Sequence, residues 1–235
     1  MKKLIAIICV LLVIFVGMVI YRRSNINSNN VTASEVGQIE EYITKIYAWK
    51  EVTGEALPTF DDINNAPDLW LWQVVVNNLE EYAVSREQIQ SKATEIFGAN
   101  FTKEFPEEGT ENLKYDESLN LYVAGEIQTD NKEDVFYINS IEKKQNEYKV
   151  EIAEYLEDYS NETNGAEENN NGYDIKIENL NGEEIATVKD TDGETVIVNT
   201  IKENIDKLSK KIVTLQKGDN DNFYVTKVVN RDVDF

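Results

Sequence analysis

The spacing of apolar residues changes from a helical to a strand period near Pro106, and that switch limits the possible folds more than any other feature. Before it the spacing is helical. Ile39, Tyr42, Ile43, Ile46 and Tyr47 recur at i, i+3, i+4, i+7 and i+8, a stripe one side of a helix wide, closed by Gly54 and Pro58. Pro67 suits the first turn of a second helix, with Asp68 at its positive end and Leu69, Trp72, Val75, Val76, Leu79 and Tyr82 as its apolar face. Ser85-Arg86-Glu87-Gln88 reads as a capping box opening a third helix with Ile89, Ala93, Ile96 and Phe97, stopped by Gly98.

After Pro106 the period is two. Leu121-Val123-Gly125-Ile127, Val135-Tyr137-Asn139-Ile141 and Tyr148-Val150-Ile152 alternate as strands do, and the phase break near Ala153 predicts a bulge there. Asn181-Gly182 and Asp192-Gly193 mark hairpin turns between strands at 173–177, 185–188 and 196–199. A short helix is expected over 201–208, and 212–215 with 223–229 form a closing hairpin. The fold class is α+β: three helices laid on one face of an antiparallel sheet. Ser160 to Gly172 is polar and turn-rich and is expected as a mobile loop of a single domain over 35–235. A split near Ser160 is the alternative, and the final strands look too few to bury a core alone.

Leu4 to Tyr21 is a run of 18 residues without a charge, flanked by Lys2-Lys3 and Arg22-Arg23. As a helix it would be roughly 27 Å long, matching a hydrocarbon core. No small-x-small cleavage site closely follows the run, the nearest acceptable tripeptide being Val31-Thr32-Ala33 well downstream, so 1–23 is expected to be an uncleaved transmembrane anchor, with a cleaved signal peptide as the alternative. The flanking positive charges are too even to orient it. All 44 acidic side chains lie beyond Arg23, which favours the acidic domain outside a single-pass cell-membrane protein, in contact with lipid through 4–21. Residues 24–34, rich in Asn and Ser, read as a flexible stalk.

Composition removes whole classes of chemistry. The chain has no histidine and one cysteine, Cys9, inside the apolar run. Serine-histidine and cysteine-histidine nucleophiles, histidine-ligated metals and an intramolecular disulfide are therefore excluded. A net charge of −21 argues against nucleic acid as partner. No phosphate-cradling glycine motif occurs, and no cofactor is expected. Asp190-Thr191-Asp192-Gly193-Glu194 and Asp219-Asn220-Asp221-Asn222 alternate oxygen ligands as calcium loops do, but neither completes the motif, and both read as acidic turns. Paired carboxylates such as Glu40-Glu41 and Glu80-Glu81 diverge by about 100° on a helix and read as solvated surface. No residue is assigned a catalytic, cofactor or metal role. The tryptophans and tyrosines of the helical half are expected chiefly as core packing, and Trp70, lying off the apolar stripe of the second helix, is the better candidate for an exposed ligand or partner contact.

Glu95-Ile96-Phe97-Gly98, Lys114-Tyr115-Asp116, Tyr137-Ile138, Glu147-Tyr148-Lys149-Val150 and Asn222-Phe223-Tyr224-Val225 resemble positions in extracytoplasmic domains of membrane-anchored Gram-positive bacterial proteins. Those domains are similar to the nuclear transport factor 2-like, or cystatin-like, α+β cone. The likeness spans about residues 36–160 and 210–230, with 160–210 as an insertion. It implies helices packed into a curved antiparallel sheet. It transfers no functional residue, because enzymes of that fold often use an Asp/His pair that this chain lacks. The expectation is a membrane-anchored extracytoplasmic binding or assembly module with a protein or cell-wall partner. The alternatives are a carboxylate-dependent enzyme on cell-wall glycans and a structural subunit of an envelope secretion or conjugation machine.

Overall fold

The structure, a computed structural model, describes residues 27–110, 113–125, 132–159, 174–219 and 221–231. The apolar run 4–21 and the loop expected at 160–172 lie outside the described residues. Among the described residues no helix is long and apolar enough to cross a membrane.

The chain is α+β. Two long antiparallel strands, β6 (Lys132–Lys144) and β7 (Glu147–Asp158), form its spine. On one side of them stand β10 (Ser209–Lys217) and then β11 (Phe223–Asn230), which is the sheet edge. The far end of β7 pairs instead with β8 (Asp174–Glu178), followed by β9 (Glu184–Lys189). At the other edge β1 (Asn27–Asn29) runs parallel to β6, with Asn27 opposite Ser140 and Asn29 opposite Glu142. This corrects the stalk reading of 24–34 for its described part. Strand pairing there uses backbone groups, so a polar sequence does not prevent it. A separate four-stranded sheet holds β2 (Ala83–Val84), β3 (Gly109–Thr110), β4 (Leu113–Asp116) and β5 (Leu121–Ala124), in the order β2-β5-β4-β3.

The helices are α1 (Ala33–Ile46), the single turn α2 (Lys50–Thr53), α3 (Asp68–Asn77), α4 (Arg86–Phe97) and α5 (Glu194–Glu203). Both α1 and α4 open with capping boxes, Thr32 with Glu35 and Ser85 with Gln88. Such a box satisfies two otherwise orphaned N–H groups. Helix α3 departs from the one-face reading. Residues Trp70 to Val76 are all buried, while Leu69 and Tyr82, expected inside, are exposed. A helix enclosed on nearly all sides has no polar face to define a stripe. The 196–199 segment, expected as a strand, belongs to α5. Val198 and Ile201 are buried and Ile197 and Ile205 pack beside them, a helical spacing that overrides the strand preference of β-branched residues.

Both faces of the β6–β7 pair are buried. Tyr148, Val150 and Ile152 meet α1, α3 and α4 residues in the main core, which includes Ile43, Trp70, Leu71 and Phe97. Ala153 and Tyr155, with Tyr137, face the other way into a second core with Ile175, Ile177, Val188, Val198, Ile201 and Leu208. The bulge expected near Ala153 lies across the pair: Ile138 is opposite Ile152 and Ser140 opposite Glu151, so Asn139 is the extra residue. That insertion keeps Ile138 and Ile141 in the same core although they differ by three. The phase break in β7 itself marks the change from one buried face to two.

Deleting Asn139 should therefore leave Ile138 and Ile141 two positions apart, on one face by plain alternation, so that β6 keeps its register and unfolding stays cooperative. Asn139→Ala keeps the count and loses only the 2.7 Å bond from its Nδ2 to Glu151 Oε1, at about 1–3 kcal/mol. Urea unfolding of the two variants checks this, and a deletion variant that loses cooperative unfolding would disprove the register argument.

Candidate binding cleft

An open cleft of about 210 Å³ lies where three elements meet. Helix α1 supplies Gln38, Glu41, Tyr42 and Lys45, which the helical repeat places on one side. The last turn of α4 supplies Glu95 and Ile96, and the turn into β11 supplies Asp221, Asn222 and Phe223. Tyr42 pins the three together. Its hydroxyl donates to Ile96 O at 3.0 Å and accepts from Val225 N at 2.8 Å. Burial pushes this hydroxyl well above the usual tyrosine range, so it stays protonated as a donor. Phe223 is held edge-on by Tyr148, with ring centroids 5.0 Å apart.

Beneath the cleft lies a charged anchor. Glu35, nearly buried, accepts from Lys143 Nζ at 2.7 Å, Tyr148 OH at 2.5 Å and Thr32 N at 2.9 Å. Lys217 Nζ stands 3.9 Å away and also pairs with Asp221 at 2.9 Å. Burial alone would raise the Glu35 pKa, but the ammonium and hydroxyl donors outweigh it and hold the carboxyl down at about 2. The anchor fastens the start of α1 to β6, β7 and β10.

A second buried charge pair sits in the helix-facing side of the sheet. Lys211 Nζ lies 3.0 Å from Glu154 Oε2 and also donates to Leu57 O. Tyr47 OH donates to Glu154 Oε1 at 3.3 Å. Burial raises the Glu154 pKa, opposed by Lys211. Burial, then the Glu154 and Asp134 charges, push the Tyr47 hydroxyl up. None of these groups lines the cleft, and Glu154 is shut off from solvent. The pair holds the 47–57 segment against the sheet.

Trp70 is not an exposed contact. It is fully buried, its Nε1 donates to Ala56 O at 3.0 Å, and it packs on Phe60 and Phe97 at 5.5 and 5.8 Å between centroids. Enclosure of α3 on nearly all sides gives Trp70 the core role and not the exposed contact drawn from its position off the stripe. The cleft residues were missed because Tyr42 and Val225 are 183 positions apart. The polar flank of α1 at Gln38, Glu41 and Lys45 was the only local signal. The turns at 190–194 and 219–222 follow the acidic-turn reading where described: Asp192 Oδ2 accepts Lys189 N at 2.8 Å, and Asp221 pairs with Lys217. Among the described residues no group of three or more His, Cys, Asp or Glu is placed to hold a metal ion. Comparison of the chain with protein-family models, curated proteins and solved structures found no match.

The Glu35 anchor gives a pH prediction with a definite sign. A carboxyl held below its unfolded value of 4.5 stabilises the fold fully above that pH and loses the contribution as pH falls toward about 2. Glu35→Gln should lower stability by roughly 2 kcal/mol at pH 7. The gap in melting temperature from wild type should narrow steadily between pH 4.5 and 2. A gap independent of pH would refute the charged-anchor account.

Proposed function

We propose that the chain is a bitopic membrane protein, anchored through residues 4–21, that displays a nuclear transport factor 2-like α+β domain outside the cell as a binding or assembly module. The observation that carries the binding reading over catalysis is the filled interior. Trp70, Leu71, Phe97, Phe105 and Tyr148 are fully buried on the side of the sheet where a substrate pocket would have to open. Surface recognition is what such a body offers, and the cleft between α1, α4 and the β10–β11 turn supplies a concave contact for a protein or cell-wall partner. The anchor reading rests on the uncharged 18-residue run and its basic flanks. The outward orientation rests on the placement of every acidic side chain beyond it.

Full-length protein should stay in the membrane fraction of the producing cell, and protease added to intact cells should trim it. A mature chain starting near Ser34 in the medium would overturn the anchor. Release of reducing sugar from wall glycan by the purified protein would overturn the binding reading in favour of the carboxylate-dependent enzyme.

A further inference from the structure

We infer that the outer domain is seated against the bilayer itself, with the β6 edge of the sheet and the exposed indole of Trp49 meeting lipid headgroups, an assignment that rests on the membrane-anchored reading. Five residues, 22–26, join the end of the apolar run to β1, and fully extended they reach about 18 Å. The headgroup layer takes up about 5–7 Å of that reach. A body of about 200 residues is roughly 40 Å across. The link therefore holds it within about 12 Å of the headgroups, less than a third of its own width.

The attachment point is fixed, which gives the seating a direction. Strand β1 pairs with β6, Asn27 lying opposite Ser140, and only Asn30, Val31 and Thr32 separate β1 from α1. It covers positions 140–142 of β6, and among the described strands nothing pairs with the remaining outer edge from Lys132 to Asn139. Because β1 runs parallel to β6, its first residue points back along that edge toward Lys132.

Trp49 stands beside that uncovered edge. Lys50 N donates to Asp134 Oδ2 at 2.7 Å, which places the 49–50 segment roughly 20 Å from Ser140 along β6, about the length of the link. Trp49 is 37 % exposed, whereas Trp70 and Trp72 are sealed in the core at 0 and 2 %. An indole joins an apolar body to one N–H donor, a combination that favours the headgroup region over both water and hydrocarbon. Tethering raises the effective concentration of lipid at this surface, so a contact too weak to hold a free domain is populated here.

The test uses the full chain reconstituted in phosphatidylcholine vesicles that carry a fraction of lipid with a nitroxide quencher on its headgroup, and it follows tryptophan emission. The wild-type emission should be quenched, and Trp49→Phe should lose at least about two-thirds of that quenching, because the two core indoles are shielded. Inserting about twenty Gly-Ser residues after Ser24, a coil of about 25 Å end to end, should cut the quenching at least threefold with Trp49 in place. Wild-type emission quenched no more than that of Trp49→Phe would overturn the seating. So would full quenching with the insertion present, since the contact would then owe nothing to the short link. Vesicle flotation separates this outcome from the reading it rests on. A chain that does not float with the vesicles has no anchor, and the seating falls with it; a chain that floats unquenched loses the seating alone.

Discussion

Side chains on a strand alternate between its two faces, and on the β6–β7 pair both faces have to be buried. The rest of the structure depends on that. One face receives α1, α3 and α4, and the other receives β8, β9, α5 and the turn at 205–207. A strict alternation would commit each strand to one fixed parity. The extra residue Asn139 changes the parity of β6 part-way, so Phe136, Ile138 and Ile141 share the main core while Val135 and Tyr137 serve the second. A similar irregularity between Thr214 and Leu215 lets Val225 and Val228 of β11 share the main core. The second core is not self-sufficient. Tyr137, Ala153 and Tyr155 come from the spine, so residues 174–208 bury their apolar surface only by leaning on it.

These facts also explain what the sequence could and could not reveal. Helix α1 was legible from its apolar stripe, α4 from its capping box and stripe, and the closing hairpin from two apolar runs on either side of a polar turn. Helix α3 was legible as a helix and illegible in orientation. Its run from Trp70 to Val76 is buried all round, so periodicity could not tell Trp70 from Trp72 by environment. In the structure the two indoles pack against different rings, Trp70 on Phe60 and Phe97, Trp72 on Phe101 and Phe105. The strand misread at 196–199 has the same origin as the bulge placed on the wrong strand. Both required knowing what lay across the sheet, and Val198 is helical because Tyr155 and Ile177 offer it a surface. The cleft was illegible for a further reason, since its residues come from segments joined only by tertiary contact.

Two of the buried charged sites act as fastenings between elements. Glu35 joins α1 to three strands, and Lys211 with Glu154 joins the 47–57 segment to β7 and β10. An apolar pair of similar volume would cost less desolvation, but it would hold its neighbours in a less specific position. In this chain the segments so fastened are α1, whose outward side forms a wall of the cleft, and the irregular connection between α1 and α3. Both lack the cooperative support that a paired strand receives from its neighbours. A carboxylate with several fixed donors supplies a directional alternative.

The edge strand β11 decides which kind of recognition the cleft can support. An open edge would invite a partner to add a strand, with affinity coming from main-chain hydrogen bonds and little side-chain selectivity. Here that edge is capped from within. Val225 N–H is taken by the Tyr42 hydroxyl, and Val228 exchanges two backbone bonds with Phe60, at 2.8 and 2.9 Å. The groups that close the edge belong to the elements that frame the cleft, since Tyr42 is part of its lining. Strand addition beside the cleft would have to displace a buried tyrosine hydroxyl from both its donor and its acceptor, and leave Ile96 O without its partner.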